Sequence, residues 1–390
     1  MKIFSKKNER VFLDYASATP VRKEVREAMQ DYYVKHFANP SALYSEAREA
    51  KEIMQTARAE VSSFLNAAKE RITFTSGGTE ANNIAILGTF EAAKKTVAKP
   101  HIISVMTEHP SVRDVLSEIE KRGGEVTLLQ PNIDGLITVE QVMQAIKENT
   151  VLISIMLVNN EIGVLQPVKD IAQALKKLKK RPYLHTDACQ APLFQTLDVS
   201  TLGVDLLTLD GLKVYGPSGI GCLYVKHDVI ISPVMFGGGQ ESGLRSGTEN
   251  VAHMVGFAQA LTLAKSERAE FAESVEKLRD YFLDNILEKF PDAALNGSRK
   301  HRAPNNINVC FKGIDAEYLV VALDTYGVAC SYSSSCRTLK EDSSSYVVEA
   351  LGKGECALSS IRFTLGKETT KEDADNALEA LEKALVQVRK

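Results

Sequence analysis

The sequence predicts an α/β fold, with a large domain built on a mostly parallel, seven-stranded sheet and a smaller α+β domain after it. Two observations carry this. Between residues 72 and 225, short apolar runs alternate with segments of helical periodicity, the pattern of parallel strands joined by crossover helices. From Glu249 to about Phe290 the alternation stops, and a long helical stretch leads into a shorter mixed region. A chain of 390 residues is long enough for one large core and a second, smaller one.

In chain order, Val11 to Pro20 is a short apolar segment running into a turn, and Arg22 to Val34 has helical spacing. After Asn39-Pro40-Ser41 comes a longer amphipathic helix carrying Ile53, Ala57, Val61, Phe64 and Leu65 on one face. The expected strands are Ile72–Thr75, His101–Val105, Val126–Leu129, Val151–Val158, Tyr183–Thr186, Val204–Leu209 and Gly221–Val225. The helices between them are Glu80–Phe90, Ser111–Lys121, Val139–Lys147 and Val168–Leu178. Beyond the long helix come a strand at Ile307–Phe311, helices at Ala316–Tyr326 and Tyr346–Leu351, a strand at Ile361–Leu365 and a final helix from Lys371. The expected division is residues 20–258 for the large domain and 259–390 for the small one, with residues 1–19 folding back onto the latter.

Net charge is −3, so nothing global points to nucleic acid or an anionic membrane. The run Lys176-Lys177-Leu178-Lys179-Lys180-Arg181 reads as a solvated helix end that complements the helix dipole. Cys189, Cys222, Cys310, Cys330, Cys336 and Cys356 form no CxxC pair, and reduced thiols are expected. With no signal-like or membrane-spanning run, a cytoplasmic protein is expected.

In a parallel α/β sheet, ligands bind beyond the carboxyl ends of the strands, so the residues there matter most. Ser76-Gly77-Gly78-Thr79-Glu80 opens a helix with glycines that let an anion approach free N–H groups, which favours a phosphate. His109, in Thr107-Glu108-His109-Pro110, suits proton transfer or stacking on a planar ring. Asn159-Asn160 suits hydrogen bonding to a ligand oxygen. Asp187 leaves a buried strand and needs a cationic or N–H partner, of which a pyridinium is one. Lys213 follows another apolar strand and suits a Schiff base with a carbonyl. Each feature also has an ordinary reading as a cap, a turn, a salt bridge or a snorkelling lysine. Together they are the parts that pyridoxal 5′-phosphate (PLP) requires.

The sequence resembles the cysteine desulfurases of the iron–sulfur-cluster type, in the class-V branch of fold-type-I PLP enzymes. The marks run along the whole chain: Leu13-Asp14-Tyr15, Asn39-Pro40-Ser41, Thr75 to Glu80, Thr107-Glu108-His109, Val158 to Gly163, Asp187-Ala188-Cys189-Gln190, Lys213 to Pro217, Arg245-Ser246-Gly247-Thr248 and Ser360-Ile361-Arg362-Phe363. The resemblance implies that Lys213 links the cofactor and that Gly78, Thr79 and Thr248 of the partner subunit hold its phosphate. His109 would stack on the ring, and Asp187 would pair with the pyridinium. Gln190 and Asn160 would bind the phenolic-oxygen side, and Arg362, with Asn160, would bind the substrate. Gly327 to Cys336 matches the family's nucleophile segment without a gap, which makes Cys336 the persulfide carrier and Cys330 a structural thiol. Arg337 beside it would favour thiolate. The implied protein is a homodimer that converts L-cysteine to L-alanine and passes sulfur to an acceptor protein, such as an iron–sulfur scaffold.

Two departures stand at the cofactor lysine. The family's Ser-x-His-Lys is here Asp210-Gly211-Leu212-Lys213. Asp210 takes the place of a serine that donates to the phosphate, and an ionised carboxylate repels a phosphate dianion. Ser333-Ser334-Ser335 also replaces the family's Gly-Ser-Ala. These changes imply weakened cofactor binding, altered activity or a specialised paralogue. The rival readings are a PLP lyase acting on selenocysteine or another β-substituted amino acid, and a catalytically silent scaffold for sulfur transfer.

Overall fold

The computed structural model describes residues 10–332 and 344–389. After a short strand β1 (Val11–Phe12) come helices α1 (Lys23–Val34) and α2 (Ser45–Phe64). The large sheet holds β2 (Ile72–Thr75), β3 (His101–Val105), β4 (Glu125–Leu129), β5 (Thr150–Ser154), β6 (Tyr183–Asp187), β7 (Leu206–Asp210) and β8 (Gly221–Val225). Their order across the 7-stranded sheet is β2-β8-β7-β6-β5-β3-β4. β8 runs antiparallel to both of its neighbours, and the other pairings are parallel. The connections are helical: α3 (Gly78–Ala93), α4 (Pro110–Lys121), α5 (Val139–Ala145), α6 (Val168–Leu175) and α7 (Val199–Leu202).

Side-chain alternation along the strands explains why both faces are covered. Ile102, Leu152, Leu206 and Leu223 pack with Ile84, Phe90, Val112 and Leu116 of α3 and α4. The next residue of each parallel strand, Ile103, Ile153 and Leu207, points into the opposite core, with Val61 and Phe64 of α2 and Ile171 of α6. The central strands are therefore apolar on both faces at these positions.

The long helix α8 (Val251–Lys289) joins two cores. Met254, Phe257 and Leu261 lie in the core beneath the large sheet. Val275, Phe282, Leu283 and Ile286 lie in a second core, with Val309, Phe311 and Phe363. Above that core lie β9 (Ala293–Leu295), β10 (Asn306–Phe311), α9 (Ala316–Thr325), β11 (Val328–Ala329), β12 (Ser331–Tyr332), α10 (Tyr346–Ala350), β13 (Ser360–Thr364) and α11 (Lys371–Val388). Four of these strands form an antiparallel sheet in the order β12-β13-β10-β9. β1 pairs in parallel with β11, and Val11 and Leu13 are buried in this second core.

Two expectations change. The strand expected over Val151–Val158 ends at Ser154. Ile155 and Leu157 still bond to His185 and Asp187, but Met156 turns its N–H onto the Glu108 carboxyl at 2.7 Å. The thiols are also not all reduced, because Cys310 and Cys356 form a disulfide between β10 and the turn before β13. Their separation of 46 residues follows no spacing rule, so tertiary contact alone brings them together. Cys189, Cys222 and Cys330 are free.

Candidate active site

Beyond the carboxyl ends of β2, β3, β5, β6 and β7 lies a cleft of about 220 Å³. A larger groove, of about 690 Å³, opens beside α2 and the 239–244 loop. The smaller cleft is where the amine, carboxylates, imidazole and guanidinium converge, so the chemistry belongs there.

Strand β7 ends at Asp210, and a single 3-10 turn, Gly211–Lys213, delivers Lys213 to the cleft wall. The turn is fixed from the N-terminal segment: Thr19 donates its hydroxyl to the Leu212 carbonyl at 2.7 Å and accepts from Tyr215 N at 2.7 Å. That bond helps hold Tyr215 at a φ of 60°, an unusual conformation for a bulky residue. Lys213 Nζ donates to the carbonyls of Ala16, at 3.0 Å, and Ser17. The ammonium is thus half-buried against backbone oxygens and forms no ion pair among the described residues.

Asp187 ends β6 and is 7% exposed. One of its oxygens accepts from Cys189 N at 3.0 Å, and the other from Asn82 Nδ2 at 2.7 Å. Asn82 also donates to Ser111 Oγ at 2.9 Å, and Ser111 Oγ lies 2.8 Å from His109 Nδ1. Because His109 Nδ1 accepts from Ser111 N as the cap of α4, a neutral ring carries its proton on Nε2. Burial lowers the His109 pKa and favours that neutral form. Behind Asp187, burial pushes the Glu108 carboxyl well above the usual carboxylate range, and the Asp187 charge adds to the shift.

At the start of α3, Gly78 N donates to Asp210 Oδ2 at 2.8 Å, and Leu212 N donates to Asp210 Oδ1 at 2.8 Å. Thr79 is exposed on the rim, and Glu80 pairs with Arg245 at 2.9 Å.

On the opposite wall, Arg362 from β13 donates to the Asn160 carbonyl at 2.8 Å, to Asp14 at 2.6 Å and to Ser17 Oγ at 2.7 Å. Its Nε is buried and has no hydrogen-bond partner among the described residues. Gln190 Nε2 donates to the Ala16 carbonyl at 2.9 Å. Asn159, by contrast, builds the turn: its Oδ1 accepts from Glu161 N and Ile162 N, and its Nδ2 donates to Thr107 O.

The fold therefore brings Gly78, Thr79, His109, Asn160, Asp187, Gln190, Asp210, Lys213 and Arg362 to one cleft. Thr248 is exposed and does not line the cleft of its own chain. Cys336 lies outside the described residues. Sequence reading missed Asn82, Ser111, Cys189 and the carbonyls of Ala16 and Ser17. Asn82 stands four residues after Gly78 on the same helix face, and Ser111 is two beyond the cap His109, so spacing could have found both. Backbone carbonyls leave no sequence signal.

A doubly wound sheet with a lysine and a buried acid at its strand ends and a helix start nearby is the setting of a class of cofactor-dependent enzymes. The class-V aminotransferase family model matches residues 11–377, and the chain belongs to that family. Within it, the chain is 40% identical over 380 residues to cysteine desulfurase IscS of Dictyoglomus turgidum, covering 97% of this chain and 95% of the relative. A solved NifS-like protein superimposes with a TM-score of 0.90 at 32% identity, covering 97% of this chain and all 100% of that one. A structure of SspA in complex with cysteine gives a TM-score of 0.78 at 34% identity over 91% of this chain and 98% of that one.

The family's PLP fits one end of the cleft and not the other. Lys213, Asp187 and His109 suit the aldehyde, the pyridinium and the ring face. At the phosphate end, the N–H of Gly78 is already bonded to the Asp210 carboxylate.

Proposed function

We propose that this chain is a PLP-dependent cysteine desulfurase that converts L-cysteine to L-alanine and loads a persulfide on Cys336. The observation that carries the reading is that Lys213 and Arg362 line the same cleft as Asp187 and His109. This arrangement can hold an α-amino acid by its carboxylate while an amine reaches its Cα. When bound, PLP supplies a carbonyl for the amino group and an electron sink.

The protein's own groups supply the rest. The Arg362 guanidinium lines the cleft and can pair with a substrate carboxylate. Asn160 and Gln190, which line the same cleft, would bind a planar ligand's oxygen edge. As a neutral amine, freed from the Ala16 and Ser17 carbonyls it is seated on, Lys213 takes a proton from Cα and returns it. His109, with its proton on Nε2, can donate toward the cleft. Asp187, held by the Cys189 N–H and the Asn82 amide, is the acceptor for a pyridinium N–H. Gly78 and Thr79, with Thr248 of the partner subunit, mark the phosphate end in a homodimer, where the Gly78 N–H must first be released from Asp210. The reading includes an acceptor protein for sulfur, a cytoplasmic location, and large and small domains over residues 20–258 and 259–390, the latter with 1–19. Among the described residues no helix is long and apolar enough to cross a membrane.

Alanine released from L-cysteine, with a persulfide mapped to Cys336 by mass spectrometry, tests the reading. Turnover retained in Cys336→Ala on selenocysteine or another β-substituted substrate would instead assign a lyase.

A further inference from the structure

The strand-to-lysine corner carries its own anion. Asp210 Oδ2 accepts from Gly78 N at 2.8 Å while Oδ1 accepts from Leu212 N at 2.8 Å, so the carboxylate is held at both oxygens. A methyl group added to Gly77 or Gly78 would lie 3.1 or 3.3 Å from that same Oδ2. The carboxylate therefore rests directly on the two glycines. On the far side, a methyl on Gly78 would meet Cys189 Sγ at 2.7 Å, so the space beside the helix start is filled as well.

Among the described residues Asp210 forms no ion pair: the Lys213 ammonium, on the same cleft, donates to the Ala16 and Ser17 carbonyls, and Arg245 pairs with Glu80. A phosphate group, carrying between one and two negative charges near neutral pH, could reach the Gly78 N–H only by displacing Asp210 and breaking a charge-assisted hydrogen bond. A second anion beside an undisplaced Asp210 would be repelled. The aldehyde, ring and pyridinium contacts of Lys213, His109 and Asp187 are untouched by this.

We infer that Asp210 is a specificity-determining residue that stands in for the cofactor's phosphate, so that this cleft discriminates weakly between PLP and unphosphorylated pyridoxal. The inference rests on the cofactor chemistry proposed above for the same cleft.

The test is calorimetric and spectroscopic titration of the full-length protein, freed of any bound cofactor, with PLP and with pyridoxal. Asp210→Asn keeps the shape and an acceptor for Leu212 N but removes the charge; Asp210→Ser provides a hydroxyl donor and guards against a folding defect in the first variant. The quantity read is the ratio of the pyridoxal Kd to the PLP Kd. Both variants should raise it by roughly tenfold or more, through tighter PLP binding with pyridoxal affinity little changed. A ratio unchanged by both substitutions overturns the inference and leaves the proposed function standing. Failure of every form to bind either compound overturns both.

Discussion

Lys213 and Arg362 carry the site at the scale of single residues. Lys213 Nζ has backbone carbonyls for partners, so its replacement removes one amine without stranding a carboxylate. Lys213→Ala should lower cysteine-dependent alanine release by roughly 10²- to 10⁴-fold, the usual weight of a positioned acid–base group, with the fold intact by circular dichroism. Retained turnover would remove Lys213 from the mechanism. Arg362 makes planar, multidentate contacts that a lysine cannot reproduce. Arg362→Lys should therefore raise KM for L-cysteine about tenfold or more. A change confined to kcat would argue against a carboxylate clamp.

At the scale of elements, the start of α3 and the middle of β6 make separate demands. Gly78 is packed so closely that an added methyl would lie 2.7 Å from Cys189 Sγ. Gly78→Ala should destabilise the protein by about 1–3 kcal/mol in denaturant unfolding, and much of that loss should disappear in the background of Cys189→Ala, which empties the opposing space. Additive effects would show that the strain lies elsewhere. In β6, His185 is fully buried between Ser154 Oγ at 2.8 Å and Thr208 Oγ1 at 3.1 Å, and burial pushes its pKa down to about 4. The unfolded chain takes up that proton near pH 6.5. The stability is therefore complete above pH 6.5 and is lost as pH falls toward 4, by about 3 kcal/mol in all. Urea midpoints between pH 7 and pH 4 should show this slope, and His185→Gln should flatten it. An equal slope in the variant would assign acid sensitivity to other groups.

For the whole molecule, α8 ties two cores together, and the Cys310–Cys356 disulfide adds a covalent tie within the smaller part. Closing a loop of 46 residues stabilises by up to about 4 kcal/mol in the chain-entropy account. Both cysteines sit in an apolar cluster with Ile162, Val164, Val347 and Val348, which joins the β5–β6 connection to α10. Cys310→Ala with Cys356→Ala should lower stability toward that amount, and a reducing agent should bring the wild type down close to the variant. Thiol-specific labelling of both cysteines in the unreduced folded protein would show that the bond does not form.

Periodicity and strand-end composition were enough to place the strands of the large sheet, the long bridging helix and Gly78, Thr79, His109, Asn160, Asp187 and Lys213 of one cleft, because burial on both faces leaves a readable apolar pattern and ligand groups follow strand ends; Gln190, Asp210 and Arg362 came from the family resemblance. Resemblance along the chain pointed to the same family that the comparisons show. Other features had no local signal. The carbonyls that seat Lys213 come from residues 16 and 17, the disulfide joins distant segments, and the ends of β5 and α3 depend on Glu108 and Asp210. The sequence by itself determined that a carboxylate stands at position 210 beside the lysine. Only the tertiary structure decided where that carboxylate goes: onto the glycine N–H at the start of α3, because a free backbone donor at a helix terminus is satisfied by the nearest anion the fold presents.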